Sequence, residues 1–124
     1  MVKGVIFDMD GTMFDTERLS TKGWIYAGKK LGVDIPVVPG IMPITNYSKL
    51  ARFSDACGAE IPRWIRKQLE AYGDDTQSIQ RFGEQVITEM CERLLQGGAP
   101  GLHFYTLNQA EASLAVWNNL KLPR

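Results

Sequence analysis

The sequence predicts an α/β fold built on parallel strands, and three observations carry that expectation. Short apolar, β-favouring runs stand at Val5–Phe7, Ile35–Met42 and Leu102–Leu107; amphipathic stretches lie between them; and Gly or Pro marks most boundaries. Continuous apolar runs, rather than alternating ones, suit strands covered on both faces. The order reads β-α-β-α-α-α-β-α, and strand–helix alternation implies a parallel sheet joined by right-handed crossovers. Residues 1–124 are expected to form one domain around three parallel strands with covering helices.

Each element follows from local signals. Val5–Phe7 reads as a buried strand, with Gly11 as the breaker. From Asp15 to Leu31 the pattern turns helical, with Leu19, Gly23 and Tyr26 or Ala27 recurring and Gly32 ending it. Ile35–Met42 is the second strand, with prolines at its margins. Thr45 or Asn46 caps a helix through about Ala56, with Leu50 and Phe53 inward. Pro62 opens another helix at the position where a missing N–H is harmless. That helix aligns Ile61, Trp64, Ile65, Leu69 and Tyr72, and Gly73 closes it. Asp75 to Gln96 is a long helix with two adjoining rows: Phe82, Val86, Met90 and Leu94, then Ile87, Cys91 and Leu95. Gly97–Gly98 and Pro100 stop it. After the third strand, Asn108 and Glu111 resemble a capping box opening a last helix that buries Ala110, Leu114 and Trp117.

Composition narrows the function classes. Fourteen basic and fourteen acidic residues balance, in a chain 44% hydrophobic and 23% charged. A nucleic-acid or anionic-membrane surface normally shows a basic excess, so neither partner is expected. No apolar run approaches the roughly 20 residues of a membrane span. The first residues lack the apolar core of a secretion signal, so a soluble cytoplasmic protein is expected. Cys57 and Cys91 lie far apart without a CxxC, which reads as two half-buried thiols. A lone His103 on a strand reads as a half-buried side chain. Asp74–Asp75 reads as helix termination and N-capping.

The string Val5–Glu17, VIFDMDGTMFDTE, resembles the first motif of the haloacid dehalogenase-like (HAD) phosphatases and phosphomutases. The likeness runs through TERLSTKGWIYAGKKLG, residues 1–34 in all. The resemblance implies Asp8 as nucleophile, forming an aspartyl-phosphate, and Asp10 as general acid. Asp8 and Asp10 would also hold Mg²⁺, and Gly11 and Thr12 would face the phosphoryl group. Such a site needs a second strand ending in Ser or Thr, which Thr106 could mimic, plus a Lys and a further acidic pair. Lys49 and Thr45 are weaker stand-ins. The remaining parts are not found, so the motif is expected to be vestigial.

The segment PGIMPITNYSKLARFSDACGAEIPRWI, with HFYTLNQAE later, is similar to the carboxyl-terminal part of bacterial methylenetetrahydrofolate reductase. That resemblance covers residues 35–124 and implies the last units of a flavin-dependent (βα)8 barrel. It implies that Phe53 lines a folate site and that Gln109 stands where some members carry a substrate-contacting Arg. A TIM barrel takes about 250 residues, and the flavin-holding strands would lie earlier, so FAD is not expected here.

Two families meeting near Leu31–Val38 predict an engineered chimera of two superfolds, a flavodoxin/HAD-like or partial TIM-barrel-like sheet without evolved catalysis. The alternatives are a vestigial Mg²⁺-dependent phosphatase using Asp8 and Asp10, or a phosphate-binding module at the DGT turn. Three strands leave two open edges and more apolar helix surface than they cover, so self-association is expected.

Overall fold

The structure is a computed structural model that describes Tyr26, Lys29, Lys30, Gly32, Pro36 and residues 38–122. The expected first strand, Val5–Phe7, and the residues Asp8, Asp10, Gly11 and Thr12 lie outside the described residues. Tyr26, Lys29 and Lys30 are helical and Gly32 has φ +71°, in keeping with the helix stop expected there.

Six elements follow: β1 (Gly40–Ile41), α1 (Tyr47–Cys57), α2 (Arg63–Tyr72), α3 (Thr76–Gln96), β2 (His103–Phe104) and α4 (Glu111–Asn119). β1 and β2 pair in parallel, with Gly40 opposite His103 and Ile41 opposite Phe104. The His103 N–H donates to the Pro39 carbonyl at 2.9 Å and the Tyr105 N–H to the Ile41 carbonyl at 2.8 Å. Two of the three expected strands are therefore present among the described residues, but each is shorter than expected. Prolines contribute to this: Pro36, Pro39 and Pro43 have no N–H to give a ladder, and among the described residues of this run only Gly40–Ile41 pair. The described fold is mixed α/β and mostly helical.

Local chemistry explains the helix ends. Asn46 is extended at φ −155°, and its side-chain oxygen accepts from the Lys49 N–H at 2.9 Å, so Asn46 is the cap of α1. Gly58 ends α1 at φ +68°, and the Ala59 N–H returns to the Ser54 carbonyl at 2.9 Å. This is the left-handed closure that Gly permits without a Cβ clash. Pro62 precedes α2 and Gly73, at φ +55°, follows it. Asp75 caps α3, accepting from the Ser78 N–H at 3.1 Å and the Ser78 hydroxyl at 2.6 Å.

The core gathers Ile41, Ile44, Leu50, Ile61, Ile65, Leu69, Ile79, Ile87, Cys91, Leu94 and Val116. Each large aliphatic side chain buried there contributes on the order of 1.5–3 kcal/mol of transfer free energy. α3 presents Ile79, Gly83, Ile87, Cys91 and Leu94 to the core. Of the first expected row only Leu94 is buried; Phe82, Val86 and Met90 are half-buried at its flank. Gly83 sits in that stripe because Ile44 presses on it: a Cβ there would collide with the Ile44 carbonyl oxygen and lie 2.8 Å from the Ile44 Cβ. Phe82 meets Trp64 and Tyr72 edge-on, with centroids 6.0 and 5.9 Å apart.

Three expectations are corrected by packing. Phe53 is not inward; it is 47% exposed, while Leu50 and Ser54 take the buried side of α1. α4 does not bury Ala110, Leu114 and Trp117, because it turns Ser113 and Val116 inward and leaves Leu114 and Trp117 half-exposed. Asn108 is not its cap: it adopts φ +62°, outside the extended region a capping residue normally uses, and α4 starts after Ala110 with no side-chain cap.

Candidate functional site

In parallel sheets the loops beyond the carboxyl ends of the strands carry function, because the scaffold fixes their start and leaves their tips free. Here those loops are Met42–Asn46 after β1 and Tyr105–Ala110 after β2, which register places side by side. The first is held from two directions. Ile44 is buried against Gly83 of α3, and Asn46 is committed to capping α1.

The second loop is a tight turn. The Gln109 N–H donates to the Thr106 carbonyl at 2.7 Å, and the two central residues, Leu107 and Asn108, have φ +46° and +62°. Positive φ at both centres is the geometry of a type I′ turn, which Asn tolerates and Leu resists at roughly 1–2 kcal/mol. Leu107 is nevertheless 75% exposed. Just before the turn, Tyr105 lies across Gly40: a Cβ on Gly40 would come within 2.6 Å of the Tyr105 ring. His103 packs edge-on to Tyr105 with centroids 5.1 Å apart, which gives it the half-buried structural place expected.

The sequence-derived site residues fall in three places. Thr106 and Gln109 bracket the turn and are both exposed. Phe53 stands apart on the exposed side of α1. Asp8, Asp10, Gly11 and Thr12 lie outside the described residues. Among the described residues no group of three or more His, Cys, Asp or Glu side chains is arranged to hold a metal ion. The two glycines that shape the strand-end loops, Gly40 and Gly83, escaped the sequence reading. An isolated glycine in a helical stripe was the available signal for Gly83.

Two titratable groups elsewhere tie or cap helices. The Tyr47 hydroxyl donates to Glu70 at 2.9 Å, tying α1 to α2; burial, then the Glu70 carboxylate, push the phenol above its usual range. Hydrogen bonds from Ser78 hold the Asp75 carboxyl below the ordinary value of 3.8. A groove along α3 and the end of α4 is lined by Arg81, Glu84, Gln85, Glu89, Glu92 and Asn119, with the Asn119 amide donating to Glu84 at 2.7 Å.

No helix among the described residues is long and apolar enough to cross a membrane. A family model described as methylenetetrahydrofolate reductase matches residues 7–121. A probable methylenetetrahydrofolate reductase (NADH) of Oryza sativa subsp. japonica is 38% identical over 94 residues, 76% of this chain and 16% of that protein. The 5,10-methylenetetrahydrofolate reductase of Escherichia coli (strain K12) is 33% identical over 89 residues, 72% of this chain and 30% of that protein. The chain thus spans less than a third of the length of these curated relatives. A solved structure described as an uncharacterized protein from Clostridium thermocellum that binds two copies of 5-methyl-5,6,7,8-tetrahydrofolic acid covers 90% of this chain, at TM-score 0.47 and 16% identity.

These matches correct the expected origin and function. The family model starts at residue 7 and runs through Leu31–Val38, where a seam between two parents was expected. An engineered chimera, a de novo scaffold and a HAD phosphatase are therefore set aside. The misreading has a physical source: an apolar strand followed by an amphipathic helix is the same local pattern in both families, and DMDGT is a short string. The expected reductase likeness from Ile35 onward holds, and the family model extends it back to residue 7; a HAD-like amino-terminal unit is not shown. From residue 7 to residue 121 this chain belongs to the methylenetetrahydrofolate reductase family.

Proposed function

We propose that this chain supplies late β-α units of a methylenetetrahydrofolate reductase-type domain, and that it contacts a reduced folate through Phe53 on α1 and Gln109 in the turn beyond β2. The observation that carries this reading is the family match, which spans β1, β2 and both loops beyond them. Phe53 offers an exposed aromatic face for a flat heterocycle, with 47% of its surface accessible. Gln109 offers an amide with donors and an acceptor.

The groove along α3 does not suit FAD, the cofactor the family resemblance implies. The groove along α3 is lined by Glu84, Glu89 and Glu92 against a single Arg81, and such a wall repels a diphosphate. The contribution of this chain is accordingly read as folate contact, with no redox step assigned to it.

The test is a titration of the ¹⁵N-labelled chain with 5-methyltetrahydrofolate. Amide shifts should concentrate in α1 and Tyr105–Ala110, and Phe53→Ala and Gln109→Ala should each weaken binding about fivefold to tenfold, roughly 1–1.4 kcal/mol. Binding left unchanged by both variants would refute the assignment.

A further inference from the structure

We propose that Gly83 is a positioning residue: it forms a notch in α3 that receives the Ile44 backbone, and so sets the height of the Met42–Asn46 loop and of α1 behind it. Three observations converge on this. Gly83 lies in the interior of a 21-residue helix, seven residues from its start, where Gly is about 1 kcal/mol less favourable than Ala. A glycine in such a place answers to a close approach rather than to the helix. The approach is visible: a Cβ on Gly83 would meet the Ile44 carbonyl oxygen, carbonyl carbon (3.1 Å) and Cβ (2.8 Å) together. Two of those atoms are backbone, so a rotamer change cannot relieve the collision. Finally, Ile44 is 3% exposed and stands two residues before Asn46, the cap that starts α1. Displacing Ile44 must therefore move the cap and the first turn of α1, the helix that carries Phe53.

β2 and its turn do not pass through this contact, so the effect should be one-sided. In Gly83→Ala, amide shifts should change in Met42–Cys57 and stay in place in His103–Gln109. Ile44→Gly removes the Cβ seated on Gly83 and frees the Ile44 backbone while leaving the helix its glycine, so it should displace the same loop and helix even if Gly83→Ala does not fold. As far as ligand is concerned the inference rests on the folate reading: 5-methyltetrahydrofolate should bind folded Gly83→Ala about fivefold more weakly through loss of the Phe53 contact. Adding Phe53→Ala to Gly83→Ala should then cost less than it does in the unaltered chain. The two readings fail separately. An unaltered chain that ignores folate sinks the proposed function, while the amide shifts still decide the role of Gly83. Shifts confined to α3, or spread evenly over both loops, in both variants would overturn the positioning role.

Discussion

Two buried serines in this chain should respond to the same substitution with opposite signs. Ser54 is 1% exposed and donates its hydroxyl to the Ala59 carbonyl at 2.6 Å, closing the end of α1. Ser113 is 7% exposed, and its hydroxyl has no hydrogen-bond partner. Removing the Ser54 hydroxyl leaves a carbonyl short of a partner, and should destabilise by about 1–2 kcal/mol. Removing the Ser113 hydroxyl abolishes a desolvated donor whose burial costs about 1–3 kcal/mol. The change to Ala also favours α4 by a few tenths of a kcal/mol, against a small loss of packing from one oxygen. Ser113→Ala should therefore stabilise by about 1 kcal/mol, equivalent to a Tm rise of roughly 3–6 °C in a domain of this size. Urea unfolding followed by circular dichroism measures both variants, with the slope checked for constancy so that the midpoints report stability. A loss of 1 kcal/mol or more in Ser113→Ala would mean that the hydroxyl is satisfied, by water or by a shifted backbone carbonyl. The reasoning from burial would then be wrong.

Two further outcomes are expected. The Asp75 carboxyl titrates below its ordinary value because Ser78 hydrogen-bonds its charged form, so this cap stabilises above the unfolded pKa and is lost as pH falls through the folded one. Asp75→Asn, which keeps an acceptor for the Ser78 N–H but not the charge, should lose a little stability near neutrality and converge on the parent below about pH 4, flattening the acid limb; an unaltered acid limb would contradict the assignment. We also expect copies of the chain to associate through α4, where Leu114 and Trp117 are 55% and 43% exposed on one side. Sedimentation velocity should show a concentration-dependent species that Trp117→Ser weakens, and a monomer at all concentrations would reject this.

Much of the local structure was legible without coordinates. Asn46, one of two candidates with Thr45, and Asp75 are residue types whose short side chains satisfy free N–H groups, and both cap helices. Gly73 and Pro62 punctuate α2 for reasons of backbone geometry alone. The alternation of apolar runs and helices pointed to a parallel sheet, and PGIMPITNYSKL and HFYTLN were sufficient to reach the family. The amino-terminal string misled because thirteen residues, VIFDMDGTMFDTE, carry a local motif and no information about what packs against it.

Tertiary structure decided what depends on a partner distant in sequence. α4 has apolar residues on two sides, and only its contact with α3 selects Ser113 and Val116 for burial over Leu114 and Trp117. α1 likewise could bury Leu50 with Phe53 or with Ser54, and the choice of Ser54 leaves Phe53 at the surface. The register that sets Gly40 against His103 is a pairing across 63 residues, and the notch at Gly83 exists only once Ile44 is seated on it. Caps, turns and periodicity act within a few residues and are written in the local sequence. The burial of one face over another is a comparison between alternative packings, and it is resolved only when the helices meet.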